Sequence, residues 1–389
     1  MPIDDKYVLV KGGNSVHDEN PEYIELINLA FGFTGTDHPF TKILPKLFGP
    51  GVDSASRTWF VKERESGKFV AAVGCFPITF NVCGEEIKAF GIGNVAVHPE
   101  YRGEGFMKAC MEAAYDEMTA SGAAMSLLSG RRHRYNHFGY EKCAAESVFT
   151  LTRKCVSYLR PDLKSALEMK KLERTDEEAL DRIYDLHNTR AYRALRDRSM
   201  LYDIMISWEA EPYVFLKDGG FAGWAILKGN TVTEMIAEDD LYLDDMIVAL
   251  TGIRQELEFL VPPFDTSLES ALWKYTETVY TGADLCFSVF DYEKVLGLLM
   301  KLKCGYEKMA DGGIVVRVNG VNGRENLRIS VKNNLPSVEK CDDEPDITLD
   351  HLAAMRFFFM ERSPERSLLP PALASWFPLP IYVHSADNV

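Results

Sequence analysis

Gly93-Asn94-Val95-Ala96-Val97-His98-Pro99-Glu100-Tyr101-Arg102-Gly103-Glu104-Gly105-Phe106-Met107 is the stretch on which the reading of this chain turns. Its apolar, β-branched opening predicts a buried strand ending at Val97, and Pro99 stops that strand. Two glycines then lead into a segment from Phe106 in which Met107, Cys110 or Met111, Ala114 and Met118 recur at helical spacing. Strand, glycine turn and helix together make an anion cradle. Gly103 and Gly105 let the backbone curl so that several N–H groups converge, and the helix N-terminus adds partial positive charge.

The string Val-x-Val-x-Pro-x-x-Arg-Gly-x-Gly, from Val95 to Gly105, resembles the coenzyme A motif of the GNAT superfamily of N-acetyltransferases. The resemblance implies that the cradled anion is the diphosphate of acetyl-CoA, used as a co-substrate. It implies contacts from Val95, Ala96 and Val97 along the pantetheine arm, and from Arg102, Gly103, Glu104, Gly105, Phe106, Met107 and Lys108 at the cradle. Gly130 and Arg131, ending the neighbouring strand, would form the other wall. Met107 departs from the usual Gly or Ala at its position, which a backbone N–H contact tolerates if the side chain points into the domain.

Further on, Tyr135-Asn136-His137-Phe138-Gly139-Tyr140 is similar to the Tyr-x-x-Phe-Gly-Tyr of the enhanced intracellular survival family within GNAT. The resemblance covers nearly the whole chain in domain order. It implies Tyr135 as the proton donor to the leaving thiolate, with Tyr140 as the alternative. A phenol near pKa 10 matches an alkyl thiol. It also implies that a C-terminal carboxylate, here that of Val389, enters the active site. The apolar, proline-stiffened ending from Trp376 to Val389 suits docking into a pocket better than fraying.

At 389 residues the chain exceeds one core and predicts two to three domains. The expected fold is α/β (α+β), with tandem GNAT folds of mixed sheets flanked by helices and then a sterol carrier protein-like α+β domain. The expected boundaries are 1–150 for the catalytic domain, 151–284 for a degenerate GNAT-like repeat, and 285–389 for the last domain with its tail. In the repeat, Ile236-Ala237-Glu238-Asp239-Asp240-Leu241 stands where the cradle would be. Three carboxylates there would repel a diphosphate.

Composition, 46% hydrophobic and 26% charged, is that of a globular protein. No apolar run approaches the roughly 20 residues of a membrane span, and the acidic N-terminus lacks a signal-like apolar region. Eight scattered cysteines, several in apolar runs, read as reduced core thiols in the cytoplasm. The net charge of −15 argues against nucleic acid and suits a cationic acceptor: a polyamine, an aminoglycoside or a lysine amine. No metal site is expected. His133 and His137, four apart, lie among three arginines, and Arg131 to Arg134 reads as a solvated basic surface with CoA phosphates as its alternative contact. Asp37 and His38 are candidates for the acceptor side. The family resemblance implies a homo-oligomer, a hexamer. The rival reading is a lipid- or small-molecule-binding protein that keeps the GNAT parts as scaffold.

Overall fold

The computed structural model describes residues 5–13, 18–33, 35, 39–143 and 145–389. In chain order, β1 (Tyr7–Lys11), β2 (Thr58–Glu63), β3 (Phe69–Val82), β4 (Glu85–Val97) and β5 (Met125–Ser129) build one sheet. Next come β6 (Glu141–Lys142), β7 (Ala145–Thr152), β8 (Glu168–Lys171) and β9 (Tyr192–Ala194). A second run holds β10 (Glu211–Lys217), β11 (Gly220–Lys228), β12 (Thr231–Ala237), β13 (Glu256–Val261), β14 (Thr278–Ala283) and β15 (Leu285–Val289). The last sheet is made of β16 (Gly312–Gly320), β17 (Gly323–Lys332), β18 (Leu335–Lys340) and β19 (Ile347–Asp350).

The first sheet runs β1-β2-β3-β4-β5-β15-β6, with β9 beside β3, and the second runs β14-β7-β13-β12-β11-β10-β8. The two share a plan. An antiparallel meander ends in a strand that pairs in parallel with the next, β4 with β5 and β12 with β13. A parallel pair needs a crossover, supplied by the helices Phe106–Ala120 and Leu243–Ile253. The units also exchange strands. β7, placed in the first unit by the boundary expected at 150, pairs with β13 and β14 of the second sheet. β15, expected to open the last unit, pairs with β5 and β6 of the first. Alternation in sequence marks a strand, whereas tertiary packing selects its sheet.

Helix Phe106–Ala120 buries Phe106, Cys110, Met111, Ala114 and Met118 against one face of the first sheet. The opposite face receives Tyr23, Leu26 and Ile27 from helix Asn20–Phe31. Each large apolar side chain so covered stabilises the fold by about 1.5–3 kcal/mol. Cys75, Cys110 and Cys286 are buried core residues. The third sheet, ordered β18-β17-β16-β19, turns Val316, Val318, Leu327 and Ile329 onto helices Tyr292–Lys303 and His351–Phe359. Phe357, Phe358 and Trp376 complete that interior, all fully buried.

From Trp376 the chain leaves the third sheet and returns to the first. Tyr192 Oη donates to the carbonyl of Tyr382 on the way. Arg196 then holds Asp387 through Nε at 2.8 Å and Nη2 at 2.9 Å. Its Nη1 and Nη2 also reach Glu234 of β12, at 3.2 and 2.7 Å. Burial raises the pKa of Asp387, but the Arg196 guanidinium more than offsets it and holds the carboxyl below the usual range. A depressed carboxyl stabilises the fold above its unfolded pKa, about 3.9, and that contribution fades as pH falls toward the native value. Arg196→Met strands two buried carboxylates and is expected to cost about 3–5 kcal/mol. Urea unfolding at pH 7 measures it, and a loss within experimental error would contradict the latch.

Candidate functional site

β4 and β5 part company partway along. They pair in parallel from Ala89 opposite Met125 to Ile92 opposite Leu128. Beyond Ile92, β4 stays with β3 up to Val97 opposite Ala71, through a register shift between Ala72 and Gly74. Asn94, at φ 53°, is the kink. A bulge bends its strand and sharpens the twist, so the two strands splay and a slot opens between them. Among the described residues, Gly93 to Val97 have no ladder partner on β5. Ala96 packs on the face of helix Asn20–Phe31, while Val95 and Val97 pack on the face of helix Phe106–Ala120.

The cradle lies at the far end of this slot. Gly103 and Gly105 have φ of 96° and 80°, backbone that costs other residues about 1–2 kcal/mol. Gly105 caps helix Phe106–Ala120, whose first turn holds no acidic residue. The first helical bond runs from the Ala109 N–H to Gly105, so the N–H groups of Phe106, Met107 and Lys108 precede the ladder. A Cβ added at Gly103 or Gly105 would meet no atom within 4 Å, so open space faces both. Phe106 is buried against Tyr7, ring centroids 4.7 Å apart. Met107 packs against the core beneath, which accommodates its departure from the motif. Arg102, Glu104 and Lys108 are exposed, and Lys108 pairs with Glu112 at 3.6 Å.

At the end of β5, Gly130 serves as a seat. A Cβ there would fall 2.3 Å from Cε2 of Tyr135, so only glycine lets that ring lie against the strand end. Tyr135 follows from the single-turn helix Arg132–Tyr135 and is 5% exposed. Burial raises its pKa, with Arg134 opposing, so the phenol stays protonated. Tyr140 has a different task. It is fully buried, and its hydroxyl shares a 2.8 Å hydrogen bond with Ser126 Oγ, which donates to the carbonyl of Phe90. That bond ties β5 to β4. Arg131 is exposed. Asp37 and His38 lie outside the described residues.

Val389 docks on the opposite face of the same strand. Phe90 and Ile92 face the helix Phe106–Ala120 side with Tyr135, whereas Val389 shares the other side with Phe76 and Ala96. Gly91 and Gly93 make the room. A Cβ at Gly91 would strike Val389 Cγ2 at 2.2 Å, and one at Gly93 would lie 3.0 Å from the Val389 carboxylate carbon. Glycine inside a strand marks such close approach. Lys46 Nζ donates to the carbonyls of Ala386, at 2.6 Å, and Asn388. Trp208 Nε1 donates to the same Asn388 carbonyl at 3.3 Å, and Asn388 Nδ2 bridges to Ser129 Oγ at 2.9 Å. Burial lowers the Lys46 pKa to about 7, with Asp387 opposing the fall. Sequence reading missed Lys46, Arg196, Gly91 and Gly93. The Gly-x-Gly inside a strand was the available signal. Beside Val389 a cavity of about 670 Å³ opens, walled by Lys46, Arg57, Phe76, Ile78, Arg196 and Asp197.

In the second unit the equivalent turn is closed by its own acids. Asp239 accepts a hydrogen bond from the Leu241 N–H at 2.9 Å. Among the described residues no cluster could hold a metal ion, His133 and His137 included.

Residues 15–143 match the family described as an acetyltransferase (GNAT) domain. This part of the chain is a GNAT-type acetyltransferase domain, which makes the protein an enzyme of that class. The whole chain is similar in fold to a GCN5-related N-acetyltransferase from Anabaena variabilis, at 13% identity and TM-score 0.67, covering 97% of this chain and 98% of that one. It is also similar to Eis1 from Mycobacterium abscessus, at 14% identity and TM-score 0.65, covering 98% and 100%. A probable N-acyltransferase from Enterococcus faecalis follows the same fold at 17% identity and TM-score 0.63, covering 90% and 89%. At these identities the likeness establishes the fold alone. No curated protein matches the chain in sequence.

The two glycines of β4 give a direct check on the docking of the tail. Gly93→Val is expected to displace Val389, so that carboxypeptidase releases the last residues at least tenfold faster than from the parent protein, with the fold retained by circular dichroism. Equal release from both would contradict the docking.

Proposed function

We infer that this chain is an acetyl-CoA-dependent N-acetyltransferase in which an amine acceptor attacks the thioester directly. One observation carries the reading: a single bent strand, β4, runs to an open anion cradle and meets Val389 on its other face. The fit of the cofactor rests on the open space at Gly103 and Gly105 and on helix N–H groups free of an acidic cap. Acetyl-CoA supplies an activated acetyl group. The N–H groups at Gly103 to Lys108 hold its diphosphate, with Arg102 and Lys108 as nearby cations. Val95 to Val97 offer unpaired backbone to the pantetheine amides, Gly130 and Arg131 close the other wall, and an N–H in the slot polarises the carbonyl.

In this reading Tyr135 gives its proton to the departing sulfur as the C–S bond breaks and the C–N bond forms. The Val389 carboxylate receives the acceptor ammonium in the 670 Å³ cavity. Direct deprotonation there is uphill. A carboxylate near 3.5 against an ammonium near 10 differs by about 6 to 7 units, roughly 9 kcal/mol. The carboxylate therefore binds the ammonium and takes its proton as the nitrogen acidifies during attack. Acceptors in this reading are amines: polyamines, aminoglycosides or lysine side chains.

We read the three sheets as an active GNAT unit, a degenerate one and a sterol carrier-like one, in a cytoplasmic homo-oligomer that is hexameric by family resemblance. The self-capping Asp239 supports the degenerate assignment. A lipid-carrier role fits less well, because helices and the Trp376 segment cover the third sheet's apolar face.

Calorimetry with acetyl-CoA tests the cradle: binding by the parent protein, and at least a tenfold loss in Gly105→Glu. No binding by the parent protein would remove acetyl-CoA as the co-substrate. Tyr135→Phe is expected to lower kcat by about 10²–10⁴ with the acetyl-CoA Kd within twofold. Because burial raises the Tyr135 pKa, its proton is retained, and no activity loss from its ionisation is expected below about pH 10. Extending the chain beyond Val389 should lower kcat, and an unchanged rate would remove the carboxylate from the mechanism.

A further inference from the structure

Tyr135 sits in a segment that cannot hold its own shape. Helix Arg132–Tyr135 is a single turn followed by the short turn Asn136–Phe138, and a helix this short has no independent stability. Locally, Asn136 Nδ2 donates to the Tyr140 carbonyl at 2.6 Å. Arg132, one turn before Tyr135, grips Glu141 through Nε and through Nη2 at 2.6 Å. Backbone bonds close its own turns, Gly139 N–H to Asn136 at 3.0 Å and Tyr140 N–H to Tyr135 at 3.2 Å, and further ties come from far along the sequence.

Helix His351–Phe359 of the third unit abuts this segment with two polar side chains. Arg356 Nη1 donates to the second oxygen of Glu141 at 2.9 Å. Its other edge donates from Nε to Glu365 at 2.7 Å, so Arg356 is itself held from behind. His351 Nε2 lies 2.8 Å from the carbonyl of Gly139 and 3.1 Å from Ser288 Oγ, and its Nδ1 lies 3.1 Å from Tyr292 Oη. Burial lowers the His351 pKa, which favours the neutral ring donating from Nε2 to Gly139. Glu141 is fully buried. Burial raises its pKa, and the two guanidiniums, Arg132 and Arg356, more than compensate and keep it ionised.

We propose that the third unit is a brace for the catalytic loop, with Arg356, through Glu141 and Arg132, as a positioning residue for the Tyr135 phenol. The observation behind it is the continuous chain Glu365–Arg356–Glu141–Arg132, which ends one helical turn from Tyr135. The ring rests on Gly130 at one end and is steered by this chain at the other. Proton delivery is sensitive to displacement of the donor by a fraction of an ångström, so slackening the chain lowers turnover without touching the cradle. Removing Arg356 leaves Glu141 paired with Arg132. The brace rests on the reading of Tyr135 as the proton donor.

A double-mutant cycle separates the two. Arg356→Ala is expected to lower kcat about tenfold with the acetyl-CoA Kd within twofold, and Arg356→Lys, which restores one bond to Glu141, to recover most of that loss. In a Tyr135→Phe background, Arg356→Ala should change kcat by less than twofold. An equal loss in both backgrounds, or no loss in the first, overturns the brace. If Tyr135→Phe alone leaves kcat intact, the donor assignment fails, and the brace is then decided by hydrogen exchange. Amides 131–140 exchanging at least tenfold faster in Arg356→Ala support it, and unchanged exchange overturns it. His351→Phe, which removes the Gly139 bond, repeats the exchange measurement should Arg356→Ala fail to fold.

Discussion

The architecture depends on one broken ladder. Where β4 bends at Asn94, its backbone from Gly93 onward leaves β5, and hydrogen-bonding groups are exposed inside a folded domain. Buried main-chain groups left unpaired cost as much as lost hydrogen bonds, so such a gap persists only if something else meets them or water reaches them. β3 holds the other edge of β4 all the way to Val97, which keeps the bent strand rigid. The gap is therefore a standing feature with fixed walls.

The two faces of that strand carry different chemistry because side chains alternate. Phe90 and Ile92 turn toward the helix that presents the cradle, and Gly91 and Gly93 turn toward Val389. Two missing side chains on one face let a segment nearly three hundred residues away rest on the backbone. Holding it there needs buried charge. Arg196 sits between Glu234 and Asp387 with every partner inside the protein, an arrangement strongly destabilised by the loss of any one member. Lys46 is drawn in by carbonyls, and burial lowers its pKa.

Much of this was legible in the sequence, and what was not follows a physical rule. The cradle could be read because its determinants are local: β-branched residues, a proline stop, and glycines that adopt positive φ before an apolar helical stripe. Tyr135 and Tyr140 could be found, but their different tasks could not be separated. That distinction rests on Ser126 bonding one of them and Gly130 seating the other. Lys46, Arg196 and Arg356 were invisible, since each acquires meaning only from partners brought in by tertiary folding. The exchange of β7 and β15 was hidden for the same reason. Both read as strands, and nothing in their own residues names the sheet they join.

The second unit repeats the parted strand but not the turn that follows it: β12 pairs with β13 only at Thr231 and Val232, beside a register shift of its own against β11. β4 ends at Val97 and β12 at Ala237, and the residue three places before each end differs in kind. In β4 it is Asn94, kinked into positive φ, and the strand opens. In β12 it is Glu234, which stays paired opposite Ile226 and receives Arg196. The turn after β12 bonds its Leu241 N–H to Asp239, as the turn after β4 bonds its Glu100 N–H to His98, but only the latter runs on into a glycine bend with positive φ at Gly103 and Gly105. One strand thus parts from its parallel neighbour ahead of a glycine bend. Its counterpart β12 also leaves its parallel neighbour, after Val232, and its Glu234 anchors, through Arg196, the tail that closes the other strand's far side.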